Sequence, residues 1–329
     1  MLKYIARRLL IMIPIFFIIS LVSFTIILLP PGDAIDRYMD NLIFEHGLTE
    51  EVKAQISALK ELYAMDEPVW VQYFKWMGKV LKGDFGYSFQ WERPVAEIIW
   101  ERLALTLIIT ISSLLFSWVI AFPVGIYSAI KHNSMGDYFF TLLGFIGLSI
   151  PNFMLALLIM YGVFVWFGES LVGLFSSEYI NVPWSWAKFV DMLKHLWLPM
   201  VIVGTAGTAG LIRVLRNNLL DELQKPYVIT ARAKGLTGIK LLLKYPLRVA
   251  INPFLSTVGW ILPQLISGAT ITSVVLNLPT SGAVLLNALL FQDMYLAGAI
   301  IMLLATMTLI GTLLSDILLA AIDPRIKYE

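Results

Sequence analysis

The chain has no cysteine among its 329 residues. This absence excludes disulfide bonds, thiolate metal sites and a cysteine nucleophile, and it leaves the redox compartment open. Charged residues are also scarce, at 14% against the roughly 25% of soluble domains, whereas hydrophobic residues reach 58%. This composition predicts a protein that crosses a membrane several times.

Motifs for metals and nucleotides are missing as well. The three histidines, His46, His132 and His195, lie far apart and form no metal-binding spacing such as H-E-x-x-H. No G-x-x-x-x-G-K-[ST] loop occurs, which indicates that the chain does not itself hold a nucleotide. The repeat GTAGTAG at 204–210 lies inside an apolar stretch, and we interpret it as small residues that let helices approach closely. We therefore expect no catalytic residue, metal, cofactor or nucleic acid on this chain.

Six long apolar stretches are each predicted to form a membrane helix, because an open strand would leave polar backbone groups unpaired in lipid. The first, 9–29, is about as long as the hydrocarbon core is thick, and we expect it to be retained and not cleaved as a signal peptide. The other five stretches are 104–130, 138–167, 196–215, 251–276 and 294–321. The predicted fold class is thus an all-α membrane protein with six transmembrane helices.

Lysine and arginine mark one side of this predicted membrane protein. They are concentrated at the N-terminus, in the 131–137 turn, in 213–248 and in the C-terminal tail. Six spans place all four segments on the same side, and short loops rich in these residues stay in the cytoplasm. Both chain ends are therefore expected to be cytoplasmic.

The segment between the first two spans is predicted to be a small, mostly helical external subdomain. Apolar and aromatic residues recur at helical spacing in 50–66 and in 68–84. We interpret their Trp and Tyr side chains as anchors at the membrane surface, with a binding surface as the alternative. The predicted domains are 1–30 (cytoplasmic end and first span), 31–101 (external subdomain) and 102–329 (five-helix core with a cytoplasmic loop at 217–250).

Charged residues inside the spans are rare, which argues against a proton or ion pathway. Asp293 is expected at the external start of the last helix, and Asp316 about two turns from its cytoplasmic end. Three interpretations of Asp316 stay open: a cap, a pair with a neighbouring helix, or a group that faces a cavity. An ion-coupled secondary transporter and an intramembrane hydrolase are alternatives, but both need more polar groups within the spans.

The stretch YVITARAKGL at 227–236 predicts a short basic helix between two membrane helices. Pro226 suits the first position of a helix, where its missing N–H costs nothing. Gly235 stands where a helix needs a left-handed residue to end. A second helical run is predicted from Ile239 to Ala250. A helix held in this way is expected to dock onto a cytoplasmic partner.

Seven motifs, in order along nearly the whole chain, resemble those of one family. They are PGD (31–33), QYFKWMGKVLKGDFGYSF (72–89), RPVAEIIWERLALTL (93–107), FPVGIYSA (122–129), SIPNFMLALLI (149–159), HLWLPM (195–200) and DPRIKY (323–328). With the basic stretch at 227–236, the chain resembles the oligopeptide/dipeptide/nickel permeases of binding-protein-dependent ABC importers, in the branch with a large first external loop.

The resemblance implies an ATP-driven importer of bacterial or archaeal cytoplasmic membranes. Its expected partners are a homologous second permease, two nucleotide-binding ATPase subunits that carry ATP-Mg, an external substrate-binding protein and membrane lipid. This chain is then not itself an enzyme. The resemblance also implies that the basic helix couples ATP hydrolysis to transport, through residues that match the family pattern: Tyr227, Thr230, Ala231, Arg232, Ala233, Lys234, Gly235 and Leu236.

The substrate stays open at this point. Peptides are the leading class, oligosaccharides come second and nickel is third. Departures from the family pattern occur at Ile229, Tyr245 and Val249, and they concern contacts with the partner. The segment 276–296, expected as an external turn before the last span, also departs from the pattern, which weakens the assignment to peptides.

Overall fold

The computed structural model describes residues 2–28, 34–169, 171–180, 182–252 and 270–322, and its regular structure is almost entirely helical. The helices are α1 (Leu2–Leu28), α2 (Ala34–His46), α3 (Glu50–Tyr63), α4 (Val69–Val80), α5 (Val95–Ile130), α6 (Met135–Ser149), α7 (Asn152–Phe167), α8 (Trp186–Leu223), α9 (Pro226–Ala233), α10 (Gly238–Lys244), α11 (Pro246–Ala250), α12 (Thr270–Val275), α13 (Ser281–Leu290) and α14 (Met294–Ile322). A short 3₁₀ helix covers Ser177–Tyr179. A two-stranded antiparallel hairpin joins β1 (Tyr87–Ser88) and β2 (Arg93–Pro94).

Three of the sequence features lie outside the described residues. They are the PGD motif at 31–33, most of the apolar stretch 251–276 and the DPRIKY motif at 323–328. The predictions made for these segments therefore stay predictions.

The described residues contain enough apolar helix for several membrane spans. Three helices are long and apolar enough by themselves: Ile5–Leu28, Val95–Ile130 and Met294–Ile317. Two bent helix pairs raise this number to five: Met135–Ser149 with Asn152–Phe167, and Trp186–Thr205 with Gly207–Leu223. These five correspond to five of the six predicted stretches, and the sixth is 251–276. The all-α membrane fold is confirmed.

The stretch 138–167, predicted as one span, is divided into α6 and α7, whose axes differ by 101°. The break falls at Ile150 and Pro151. Proline has no N–H to donate, and its ring disfavours helical geometry in the residue before it. Ile150 accordingly adopts an extended conformation, with φ −91° and ψ 119°.

The chain forms two compact units. One consists of Met1–Ala6, Thr106–Pro279 and Thr308–Glu329, and the other of Arg7–Leu105 and Thr280–Met307. In the second unit, the helices predicted within 50–66 and 68–84 are confirmed as α3 and α4.

The core of this second unit is built by α1, α4 and the first turns of α14. Its buried members are Phe24, Ile27, Tyr73, Trp76, Val80, Met294 and Met302. Helices α1 and α14 approach closely at Gly298, where a Cβ atom would stand 2.6 Å from Cγ1 of Ile27. The bare glycine is therefore what allows this helix contact.

Asp293 lies immediately before α14, as predicted, and it is 1% exposed. Its carboxylate accepts a hydrogen bond from the hydroxyl of Ser88 and one from the backbone N–H of Leu296, at 3.4 Å. Asp293 therefore links the hairpin to the beginning of the last helix. The segment before it is more ordered than the turn we expected, because Ser281–Leu290 forms a ten-residue helix that begins after Thr280.

Candidate functional site: the basic loop

The basic stretch forms helix α9, directly after the long helix α8. Pro226 occupies its first turn, as predicted, where a missing N–H leaves no intrahelical bond unmade. The carbonyl of Lys225 accepts hydrogen bonds from the N–H groups of Val228 and Ile229, at 3.0 and 3.2 Å. Only Gln224 and Lys225 separate the two helices, so the start of α9 is fixed closely to the end of α8.

The end of α9 is closed by a pair of backbone hydrogen bonds around Gly235. The N–H of Gly235 donates to the carbonyl of Arg232 at 3.0 Å, and the N–H of Leu236 donates to the carbonyl of Ala231 at 3.2 Å. This pattern is the Schellman motif, which requires a left-handed residue just past the helix. Gly235 has φ +87°, so its predicted role as the terminating residue is confirmed.

One side of α9 packs against the rest of the loop. Val228 and Ala231 are 0% and 5% exposed and form a small core with Leu241. Leu236 and Tyr245 pack against this core, and the rings of Tyr227 and Tyr245 lie 6.5 Å apart. The helix is therefore held by side-chain packing as well as by its two termini.

The eight residues singled out from the sequence divide between two faces. Ala231 is buried and Leu236 is partly buried, so these two stabilise the loop itself. The other six are exposed: Tyr227, Thr230, Arg232, Ala233, Lys234 and Gly235. Tyr227 donates a hydrogen bond to the carboxylate of Glu222, and Thr230 donates one to the carbonyl of Pro226 at 2.9 Å. These two hydrogen bonds fix part of the exposed face.

The run predicted as one helix from Ile239 to Ala250 is two short helices, α10 and α11. The chain breaks at Tyr245, because Pro246 restricts the residue before it and cannot donate a backbone hydrogen bond. Both helices anchor the loop to the membrane helices. Leu242, Leu247 and Ala250 are buried in a cluster with residues of α5 and α8, namely Ala121, Ala129, Leu211, Leu215 and Leu219.

A buried ion pair fixes the turn between α5 and α6 to the same end of α8. Nε of Arg216 lies 2.8 Å from Oδ1 of Asp137, and the second guanidinium nitrogen lies 2.8 Å from Oδ2. Asp137 is 1% exposed and also accepts a hydrogen bond from the N–H of Asn133, at 3.0 Å. Such a two-pronged contact fixes orientation as well as distance.

The exposed surface of the loop is basic and partly apolar. Residues 223–250 contain six basic residues and no acidic one: Lys225, Arg232, Lys234, Lys240, Lys244 and Arg248. Ile229, Ile239 and Leu243 are 56%, 70% and 58% exposed. Beside Arg232 lies an apolar cavity of about 440 Å³, lined by Ile126, Ile130, Leu223, Arg232 and residues 237–239, 241 and 242. The arrangement can accept a partner that offers acidic and apolar side chains.

Two parts of this site were not found from the sequence. The pairing of Asp137 with Arg216 joins residues 79 positions apart, and no local pattern signals it. The exposed apolar side chains Ile229, Ile239 and Leu243 carry no signal by themselves, since a buried loop residue would look the same. The inward side of α9 could have been found, because Val228 and Ala231 are three residues apart on one helical face.

Two protein-family models match this chain and together cover most of it. Residues 121–328 match the family described as the binding-protein-dependent transport system inner membrane component. Residues 1–110 match the corresponding N-terminal family of membrane components.

Three similar proteins that align over their whole length are named as permeases of transport systems. The chain is 35% identical to the oligopeptide transport system permease protein AppB of Bacillus subtilis (strain 168), with 100% of both chains covered. It is 30% identical to the dipeptide transport system permease protein DppB of Escherichia coli (strain K12), again with 100% of both covered. It is 31% identical to the glutathione transport system permease protein GsiC of Salmonella paratyphi A, with the same coverage.

A solved structure shares the fold. An inward-facing form of the MetNI methionine ABC transporter matches with a TM-score of 0.55 and 17% identity, over 69% of this chain and 96% of the other. This match shows a shared fold, and the family matches over both parts of the sequence do not favour an ion-coupled secondary transporter. The chain belongs to the family of inner membrane permease components of binding-protein-dependent transport systems.

Proposed function

We propose that this permease imports peptides and that helix α9 transmits the energy of ATP hydrolysis from separate ATPase subunits. The observation that carries the second part is the form of α9. The helix is fixed at both ends and packed on its inner side, yet the side chains of Arg232 and Lys234 are exposed. A rigid helix of this kind moves as one body with α8, so a push on α9 reaches the membrane helices.

The docking partner is an ATPase subunit with acidic and apolar groups on its surface. Arg232 and Lys234 would pair with carboxylates, and the apolar cavity beside Arg232 would receive an apolar side chain. A homologous second permease would supply a second docking helix to a second ATPase, and ATP-Mg would be held by those subunits. This chain holds no nucleotide and catalyses no reaction by itself.

The proposed topology puts both chain termini, the α5–α6 turn and the basic loop in the cytoplasm. It rests on the excess of lysine and arginine in these segments. In this topology, the segment 31–101 is an external subdomain and 102–329 is the membrane core. The subdomain lies on the side from which a binding protein delivers substrate.

Charge reversal on α9 tests the docking. The double variant Arg232→Glu with Lys234→Glu is expected to weaken association with the ATPase subunits by about tenfold or more, since two favourable contacts worth roughly 0.2–1 kcal/mol each become repulsive. Co-purification from cells that express the complete transporter, at two salt concentrations, measures this. Lys131→Glu is the matched control, because Lys131 is exposed in the α5–α6 turn and lies outside α9. Unchanged co-purification and uptake in the double variant would show that α9 is not the docking helix.

Gly235→Val tests the coupling. A β-branched residue at φ +87° is strained, and the last turn of α9 would open. We expect membrane insertion to be normal and ATP hydrolysis to continue without transport. Wild-type uptake in this variant would contradict the role given to α9.

The peptide substrate is supported by the names of the full-length relatives, which transport oligopeptides and dipeptides. Uptake of a labelled tripeptide by cells that express the transporter with its own binding protein tests this class. We expect unlabelled peptides to compete and an oligosaccharide or nickel to have no effect. Absence of tripeptide uptake, together with uptake of a labelled oligosaccharide by the same cells, would assign the transporter to sugars.

A further inference from the structure

Helix α4 has three faces with different surroundings. One face is buried: Tyr73, Trp76 and Val80 are 5%, 7% and 7% exposed. A second face is apolar and exposed, with Trp70 at 67%, Phe74 at 63% and Leu81, just past the helix, at 73%. The third face carries Lys75 and Lys79, and Lys82 follows just past the end of the helix. The spacing of three, four and seven residues keeps each set on its own side of the helix.

The buried face packs against the membrane helix α1, well inside its apolar stretch. The hydroxyls of Tyr73 and Ser20 lie 2.7 Å apart in a buried hydrogen bond. The ring of Tyr73 lies 6.0 Å from the ring of Phe17 and 5.5 Å from that of Phe24. Ser20 precedes Leu28, the last residue of α1, by eight positions, which is about 12 Å at ~1.5 Å per residue. The contact therefore lies below the level at which the span ends.

Helix α1, against which the buried face of α4 packs, also has exposed apolar side chains. Ile13, Ile18 and Val22 of α1 are 64%, 59% and 52% exposed within a candidate membrane span. Trp70 and Phe74 add exposed aromatic side chains on α4, the helix that packs against this span. A large exposed aromatic surface is costly in water, whereas the boundary of a bilayer accepts it.

We propose that α4 is an interfacial helix, with Trp70, Phe74 and Leu81 inserted among the lipids at the C-terminal end of the first span. Lys75 and Lys82 extend to the phosphates of the head groups, a distribution typical of helices that lie in the membrane surface. Among the described residues, neither lysine forms an ion pair. On the topology proposed above, this is the external leaflet, and only that assignment of the leaflet rests on the proposed function.

Lys79 plays a different part from the other two lysines. Its ammonium donates to the carbonyl of Leu62 at 3.1 Å and stands 5.6 Å above the ring of Tyr63. It therefore ties α4 to the end of α3, while the other two lysines stay accessible. The helix is thus held from two sides, by α1 and by α3, with its apolar face outward.

The absence of cysteine permits a direct test by spin labelling. Single cysteines at Phe74→Cys and Lys75→Cys place labels on adjacent residues that face lipid and head groups. Ile13→Cys serves as the lipid-exposed reference, and Ala58→Cys, exposed on α3, as the water-exposed one. The assembled transporter is reconstituted in phospholipid bilayers, and the collision of each label with oxygen and with a water-soluble nickel chelate is measured by electron paramagnetic resonance. Trp70→Cys repeats the Phe74 measurement at a second site.

Oxygen partitions into lipid and the nickel chelate stays in water. We expect the labels at 70 and 74 to collide with oxygen as strongly as the label at 13, and the label at 75 to collide mainly with nickel. If positions 70 and 74 behave like position 58, the face is in water and the proposal is wrong. If they are shielded from both reagents, a protein subunit covers the face, which also overturns it. Neither result depends on α9 or on the transported substrate.

Discussion

Gly204, the first glycine of the GTAGTAG repeat, offers the sharpest test of how the membrane helices pack. A Cβ atom at this position would stand 2.7 Å from Cδ1 of Phe116, 3.1 Å from the carbonyl oxygen of Ser113 and 3.3 Å from the hydroxyl of Ser117. The carbonyl of Gly204 also lies 2.8 Å from that hydroxyl, in a buried hydrogen bond between α8 and α5. A methyl group therefore fits only if the ring of Phe116 shifts and the backbone of α5 at Ser113 also moves away.

Gly210 provides a matched control in the same helix and the same repeat. No described atom lies within 4 Å of a Cβ atom placed there. Alanine is preferred to glycine in a helix by roughly 0.8–1 kcal/mol, and this gain is common to both positions. The difference between Gly204→Ala and Gly210→Ala thus isolates the steric cost, which for overpacking is about 1–3 kcal/mol. One of the contacts at Gly204 is with backbone, so relaxation of a side chain alone cannot remove the cost.

Thermal unfolding, followed by the fluorescence of the ten tryptophans, measures both variants beside the wild type in the same detergent. We expect the order of stability to be Gly210→Ala at or above the wild type and Gly204→Ala below it. Gly204→Ala combined with Phe116→Leu should recover part of the loss, because the shorter side chain removes the nearest atom. Equal midpoints for the two alanine variants would refute the close contact between α5 and α8.

Two further predictions concern single contacts. Asp137→Ala leaves the guanidinium of Arg216 without its bidentate partner, so it is expected to destabilise the transporter by about 3 kcal/mol. Asp137→Asn is expected to cost less. If Asp137→Ala and the wild type had the same midpoint in thermal unfolding, this prediction would be contradicted. Gly298→Ala brings a methyl group to 2.6 Å from Ile27, and is expected to cost about 1–3 kcal/mol and to be rescued by Ile27→Ala. A double-mutant cycle on these two residues measures the coupling, and strict additivity of the two changes would argue against contact.

The basic loop shows which structural features local sequence patterns can predict and which they cannot. Pro226 and Gly235 were predicted as the two ends of a helix, and both hold those positions, because their effects act through the backbone of one or two residues. The run 239–250 was predicted as one helix although it contains Pro246. Apolar periodicity continued across the proline and suggested continuity. The missing N–H of Pro246 and its restriction on the backbone of Tyr245 outweighed this periodicity. The structure therefore has two helices, α10 and α11.

The stretch 138–167 shows a different limit. Its apolar composition predicted membrane helix, and α6 and α7 are apolar helices. Composition does not determine the direction that the chain takes after a proline, however. A proline can leave a helix slightly bent or turn the chain away, and here the two axes differ by 101°. The neighbours of the break decide between these outcomes, and they come from distant parts of the chain.

The sequence by itself determined the features that depend on composition and on short spacings. These are the membrane class, the apolar stretches, the ends of α9 and the family to which the chain belongs. Only the tertiary structure shows the three long-range contacts described above. They are the ion pair of Asp137 with Arg216, the packing of Phe116 against Gly204 and the hydrogen bond of Tyr73 with Ser20 of α1. Each of these contacts joins residues more than 50 positions apart. Their geometry follows from how whole helices pack, and a single sequence records the helices but not the contacts between them.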